Sequence, residues 1–442
     1  MKGRLSDWIG RRYRIGYAFV LLCWAGWFLQ STCGSPPYDY LDLVVTMDHV
    51  AFYTAARIVL DPNIPAGKMY DYDAFVAGYQ AELFPGKWAG LEAFRNPPFY
   101  ALLYTPTAWL PYEYSALIWS SISLIALVFG ARWLAPARPW TALGHAVCCY
   151  PVLAVMQFGQ NSLLSFALVC GTYRLLANNR PFAAGLVAGL LAFKPTLLIG
   201  LVIWTLFDFR RKWPCALGAA TTIAVLSAVS YAWIPTACER FVATLTDNMK
   251  FDRFEWWKNH TPRAFVRLLF PESVHTPWET AATLAGAIVG TVWFVLIWRK
   301  HRRDLRAMFG AAILLTLWAS PHALIYDWAI AFAACYLWWE RAPDRRVWIV
   351  PLAGLWLALL ASTHLCEAQV WLWTKLDPGR SHAVWEPHPD GNVVILLQIS
   401  IPAMVVFGWA TLRLLRFERT AAGAEQPPAI DTNSGTGIVP RP

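Results

Sequence analysis

Long apolar runs at 15–29, 114–134, 215–234, 278–298, 348–364 and 393–412 dominate the hydropathy pattern of this chain, and a helix needs about 20 such residues to cross a bilayer. Shorter or interrupted apolar pieces lie between them, at 97–110, 142–158, 163–176, 182–207 and 308–339. Broken spans persist only where the freed backbone is buried in protein or lines a polar cavity, so these pieces predict the position of a substrate chamber. The segment 41–60 has a different pattern. At about 100° per residue Leu41, Val44, Val45, Phe52, Ala55 and Val59 share one face with Asp48 at its centre, and Asp42, Thr46, His49, Tyr53 and Arg57 fall on the other side. The pattern predicts an amphipathic helix on the membrane surface, directly after the first span, with the Asp48 carboxylate aimed into the protein or the lipid boundary. A surface Asp satisfied by an Arg or a backbone amide is the structural alternative.

Composition agrees with the pattern. Of 442 residues 57% are hydrophobic and only 15% charged, and mean hydropathy is +0.39, which excludes a soluble core and predicts an all-α polytopic membrane protein with about 11–13 crossings. Basic clusters set the orientation: Lys2, Arg4, Arg11, Arg12 and Arg14; Arg210, Arg211 and Lys212; Arg299, Lys300, Arg302 and Arg303; Arg341, Arg345 and Arg346. They belong on the cytoplasmic side, N-terminus included. The net charge of +9 is then topology and anionic-lipid contact, with no nucleic-acid partner. Arg132, Arg138, Arg174 and Arg180 leave the parity between 133 and 209 open.

The segments left outside are 34–96, 235–277 and 366–392, all rich in Trp, Tyr, His, Asp and Asn. The N-terminus reads as a retained anchor, because no small-residue cleavage site follows its apolar run. The membrane domain is expected over 1–420, and 421–442 is expected to be a disordered cytoplasmic tail by its Pro, Gly, Ser and Thr content. Nine Cys show no metal-ligand spacing. No metal is expected, although a disulfide among Cys33, Cys238 and Cys366 is open to an outward-facing compartment.

Candidate chemistry sits at the interruptions. Lys194 breaks the run 182–207 and is followed by Pro195; an intramembrane Lys usually faces a partner or a cavity, so it is a candidate phosphate ligand, with snorkelling as the alternative. His322, Tyr326 and Asp327 lie between two apolar half-spans, Gln160 and Asn161 follow Gly159, and Arg95 and Asn96 precede a Pro pair. With His260 and Arg263 of the outer segment these are candidates for binding phosphate or sugar. The alternatives are a satisfied core His, amides joining helices, and Arg anchored at lipid headgroups.

In sequence order, Met47-Asp48-His49 with Tyr53 and Ala56, Met69-Tyr70-Asp71, Arg95-Asn96-Pro97-Pro98-Phe99, Phe158-Gly159-Gln160-Asn161, Phe193-Lys194-Pro195, and Ser320-Pro321-His322 with Tyr326-Asp327 resemble glycosyltransferase family 87. Asn259-His260-Thr261 departs from the Asn-Gln-Ser type of pattern associated with that loop. The resemblance implies a bacterial inner-membrane enzyme with a GT-C-type helical bundle. It would move mannose from a polyprenyl-phosphate carrier to a glycolipid or glycan in an α-1,2 linkage at the periplasmic face, with Asp48 as counterpart of the family's outer-loop Asp. No cofactor is implied beyond the lipid-linked donor. The chemistry agrees: a phosphate leaving group needs charge stabilisation rather than an acid, so one carboxylate acting as base suffices, and inversion is the simplest outcome. A secondary transporter or lipid flippase is the alternative, since broken helices with buried Lys and Asp serve transport too; a non-catalytic scaffold would not need Asp48.

Overall fold

The computed structural model describes residues 2–85, 92–244, 256–269, 275–376 and 398–424. The helices among them are α1 (Lys2–Thr32), α2 (His49–Leu60), α3 (Ala77–Leu83), α4 (Pro98–Ala108), α5 (Tyr112–Leu134), α6 (Pro139–Val147), α7 (Tyr150–Phe158), α8 (Ser162–Ala177), α9 (Pro181–Gly189), α10 (Ile199–Phe207), α11 (Phe209–Trp233), α12 (Pro235–Thr244), α13 (Pro262–Leu269), α14 (His275–His301), α15 (Leu305–Ala319), α16 (Ala329–Arg341), α17 (Arg346–Leu376) and α18 (Ser400–Ala424). Extended pairing among the described residues is limited to two isolated bridges, Tyr38 with Val44 and Asn259 with Leu324. The fold is all-α. Among the described residues five helices are long and apolar enough to cross a membrane, in α1, α5, α11, α14 and α17. The bent pair α6 and α7, at 68°, would make a sixth span, and the remaining apolar helices are shorter, so helices of full crossing length fall short of the expected 11–13.

The molecule has two chemically different ends. At one end α14 passes to α15 and α16 to α17, and Arg341 pairs with Asp304 across these connections. Phe207, which precedes the cluster Arg210 to Lys212, stacks near Trp298 at that same end. Tyr173 of α8 meets Phe309 and lies near Arg306, and Arg138 lies near Tyr336 with Arg345. The parity left open by Arg132, Arg138, Arg174 and Arg180 is thereby resolved: they belong to this basic end. At the other end Thr363 of α17 and Ser400 of α18 meet over His260, and α2 packs on α4 and α5.

Packing explains why the short helices hold. A side chain at Gly185 would collide with the Cys215 carbonyl and one at Gly218 with the Phe182 carbonyl, so α9 and α11 cross at backbone contact, as small residues allow in membranes. Beneath the site Phe52, Tyr100, Tyr104 and Phe193 form a buried aromatic block, with Phe52 stacked on Tyr104 at 5.0 Å and Tyr100 on Phe193 at 4.5 Å.

Several expectations are corrected. The segment 41–60 is not one amphipathic helix: Asp42 and Thr46 have φ of 61° and 57°, which a helix cannot accept. The Asp39 carboxylate takes the Leu41 and Leu43 amides at 2.8 and 3.0 Å, holding a turn that leaves Leu41 and Leu43 exposed. The helix therefore starts at His49, and Asp48 occupies its N-cap position rather than the middle of an apolar stripe. Nor does this helix float on the surface, because His49 and Tyr53 are buried with Val50, Phe52 and Ala55. No disulfide joins Cys33, Cys238 or Cys366. The segment 366–392 is helical as far as Leu376 and α18 continues to Ala424; the rest of the expected outer segment and tail lies outside the described residues.

Candidate active site

Each interruption of an apolar run frees backbone groups, and at the end away from the basic clusters a polar residue answers each one. Gly159, at φ 71°, caps α7 in the left-handed region, which a Gly adopts without steric cost. The turn lets the Gln160 amide return to Val155 O at 2.9 Å, and the Asp48 amide donates to Phe158 O at 2.9 Å. The run 182–207 breaks at Lys194, between two short 3-10 turns. There Asn96 donates to Phe193 O at 2.8 Å, and Tyr70 donates to Asn96 O at 2.7 Å. At the third break, after Ser320-Pro321, the Asn259 side chain accepts from the Ala323 amide at 3.0 Å and Asp327 accepts from the Leu324 amide at 3.2 Å. The broken helices are therefore satisfied internally, as a low-dielectric setting demands.

A single chain of polar contacts links these breaks. Gln160 Nε2 donates to Asp48 Oδ2 at 2.6 Å, and its Oε1 accepts from Lys194 Nζ at 3.4 Å. Lys194 also pairs with Asp327 Oδ1 at 2.7 Å and donates to Ser162 Oγ at 3.0 Å; Ser162 in turn donates to Asp327 Oδ1 at 2.7 Å. Tyr326 lies under the ammonium, its ring centre 5.0 Å away. The two carboxylates differ in access. Asp327 is 5% exposed and accepts from Lys194, Ser162 and Leu324, whereas Asp48 is half-buried and does not spend its side chain capping its own helix. Helix α2 points its N-terminus at Asp48, which favours the anion.

Facing this chain is a cationic and aromatic wall. Lys258, buried, stands over the Phe158 ring at 4.1 Å and the Trp257 ring at 5.0 Å. Arg263 and Arg267 share Glu279 at 2.9 and 2.7 Å and both lie over Trp256, whose ring is 6.1 Å from His322. Arg95 sits beside Tyr72, Glu92 and Tyr326. His322 is half-buried, with Arg263 and Arg95 close by. Such a wall suits a phosphate.

The structure thus brings Asp48, Gln160, Lys194, Asp327 and Tyr326 together, with Asn96 bracing the Lys194 turn and Arg95, His322 and Arg263 beside them. Asn161 is buried, its amide close to the Tyr100 hydroxyl without a hydrogen bond of ordinary geometry. His260 stands apart. It is fully buried, with Nδ1 2.7 Å from Ser400 Oγ and Nε2 3.2 Å from Thr363 Oγ1, so both ring nitrogens are occupied within the fold. Ser162 and Lys258 are site residues that the pattern of the sequence did not single out. Ser162 directly follows the Gln160-Asn161 break, a signal that was available; Lys258 meets Phe158 from a hundred residues away and carried none. Among the described residues no group of three or more His, Cys, Asp or Glu could hold a metal ion.

An all-α membrane protein whose broken helices converge on an accessible carboxylate, a buried Lys–Asp pair and a cationic wall has the make-up of a lipid-handling transferase. The chain belongs to glycosyltransferase family 87, whose profile matches residues 94–321. That span carries Arg95, Asn96, Gln160, Asn161, Lys194, His260 and Arg263; Asp48 precedes it and His322, Tyr326 and Asp327 follow. The chain is also similar to the polyprenol-phosphate-mannose-dependent alpha-(1-2)-phosphatidylinositol pentamannoside mannosyltransferase of Mycolicibacterium smegmatis, 27% identical over 342 residues that cover 65% of this chain and 77% of that protein. No solved structure matches.

Proposed function

We propose that this glycosyltransferase moves mannose from a polyprenyl-phosphate carrier to a hydroxyl of a glycolipid or glycan at the periplasmic face of the bacterial inner membrane. The observation that carries the assignment is the contrast between the two carboxylates. Asp327 is locked to Lys194 and Ser162, while Asp48 is partly open and oriented by Gln160. Asp48 is the base: its carboxylate takes the acceptor proton as the hydroxyl attacks the anomeric carbon, and the carrier phosphate leaves on the opposite face with inversion. Arg95, Lys258 and Arg263 supply the positive surface on which the leaving phosphate is stabilised. Lys194 acts through Gln160, holding the amide that aims Asp48. The donor and acceptor classes are supported by the family and by the name of the relative; the outer position is supported by the basic clusters gathered at the far end.

Asp48→Asn tests the reading, because it keeps size and polarity and removes the base. Purified enzyme supplied with a polyprenyl-phosphate mannose and a mannolipid acceptor should transfer at a rate lower by about a hundredfold or more, the usual scale for loss of a general base. Near wild-type turnover would remove Asp48 from the mechanism.

A further inference from the structure

A groove leads away from the site along α16. Between α1, α16 and α17 runs a groove of about 340 Å³, within the range of roughly 300–1,000 Å³ typical of small-molecule sites. Its walls are apolar along their length, with Phe332, Cys335 and Trp339 on α16 facing Leu352, Ala353 and Trp356 on α17. It begins at Trp328, next to Asp327, and ends at Arg345 and Arg346. Polarity is confined to the second end: Tyr17 OH meets His145 Nδ1 at 2.8 Å, Arg345 lies over the Trp339 ring at 4.8 Å, and Arg346 is exposed. The adjacent Asp344 carboxylate accepts from the Arg346 backbone amide at 3.0 Å.

We propose that this groove binds an anionic glycerophospholipid, one acyl chain lying along α16 and the phosphate on Arg345 and Arg346. The shape requires a long apolar ligand, and the two guanidiniums at one end select a headgroup of negative charge. A sugar donor does not fit the same arrangement. Helix α16 is 13 residues long, about 20 Å, and that length separates the arginines from Asp327, whereas the donor phosphate has to reach the Asp48 end. The lipid is therefore a bound companion of the fold that wedges α1, α16 and α17, distinct from the substrate.

Native mass spectrometry of the full-length protein, titrated with phosphatidylglycerol or with phosphatidylcholine of the same chains, tests this directly. The wild type should retain phosphatidylglycerol in preference. The double variant Arg345→Ala/Arg346→Ala should bind it more weakly, on the order of tenfold. Ala353→Trp, which fills the groove and leaves the arginines in place, should lose retention of both lipids. Equal retention of the two headgroups, unchanged binding in Ala353→Trp, or a polyprenyl phosphate displacing phosphatidylglycerol from the groove would each overturn the proposal. None of these readouts depends on glycosyl transfer, so the assignment of Asp48 stands or falls separately.

Discussion

Lys194, a candidate phosphate ligand by its place in the sequence, is held in the fold by a carboxylate and a hydroxyl. Its ammonium is 2.7 Å from Asp327 and 3.0 Å from Ser162, with a side chain only 16% exposed. Breaking a buried pair by removing one partner costs roughly 3–5 kcal/mol, because the remaining charge is left uncompensated, whereas replacing both by apolar groups is often close to neutral. Lys194→Met should therefore lower the thermal unfolding temperature of the detergent-solubilised protein, and Lys194→Met/Asp327→Leu should recover most of that loss. Neither variant should regain transfer, since Gln160 loses the cation that holds it against Asp48. A Lys194→Met protein as stable as wild type, defective only in donor binding, would show instead that Lys194 meets the phosphate itself. The presence of a charged residue at this break was legible from the interrupted apolar run. Its partners were not, because Ser162 and Asp327 are 32 and 133 residues away along the chain.

At the scale of elements, the sequence revealed where helices break and missed how they begin. Gly159, Pro195 and Pro321 punctuate apolar runs, and the site sits on these three interruptions. The start of α2 was misplaced because periodicity continues through 41–48 although Asp39 folds that stretch into a turn, a local hydrogen-bonding choice that hydrophobic spacing does not record. The surroundings of the His260 segment were not legible for a related reason: its neighbours come from α17 and α18, far along the chain. That segment gives a pH prediction. Burial pushes the His260 pKa from 6.5 down to about 3, so the folded protein holds the ring neutral while the unfolded chain binds a proton below about pH 6.5. Its contribution to stability is therefore complete above pH 6.5 and is lost as pH falls, at up to roughly 1.4 kcal/mol per pH unit until the folded pKa is approached. Thermal unfolding between pH 7.5 and 5 should show this slope, and His260→Gln, which can still hydrogen-bond Ser400 but does not titrate, should flatten it. An identical slope in both proteins would assign the acid sensitivity to other groups.

For the whole molecule, polarity along one axis decides which donor is within reach. The Arg- and Lys-rich regions at 210–212, 299–303 and 341–346 gather where α14 meets α15 and α16 meets α17, and the carboxylate–amide–ammonium chain occupies the opposite end. Composition made the membrane class legible, and the basic clusters made the polarity legible. What they left undetermined, the parity between 133 and 209, required the packing of Tyr173 on Phe309 and of Tyr336 near Arg138. Cytoplasmic loops carry the excess of Lys and Arg, so the end bearing Asp48 should face the periplasm, where a polyprenyl-phosphate sugar is available and nucleotide sugars are not. Two exposed positions report on this in a Cys-free background: Ser35, in the turn that follows α1, and Arg303, between α14 and α15. Ser35→Cys should react with a membrane-impermeant maleimide in cells whose outer barrier has been made permeable, and Arg303→Cys only after the inner membrane is broken. The reverse pattern would place Asp48 beside the cytoplasmic pool of nucleotide sugars, and the lipid-linked donor would have to be abandoned even if Asp48→Asn were inactive.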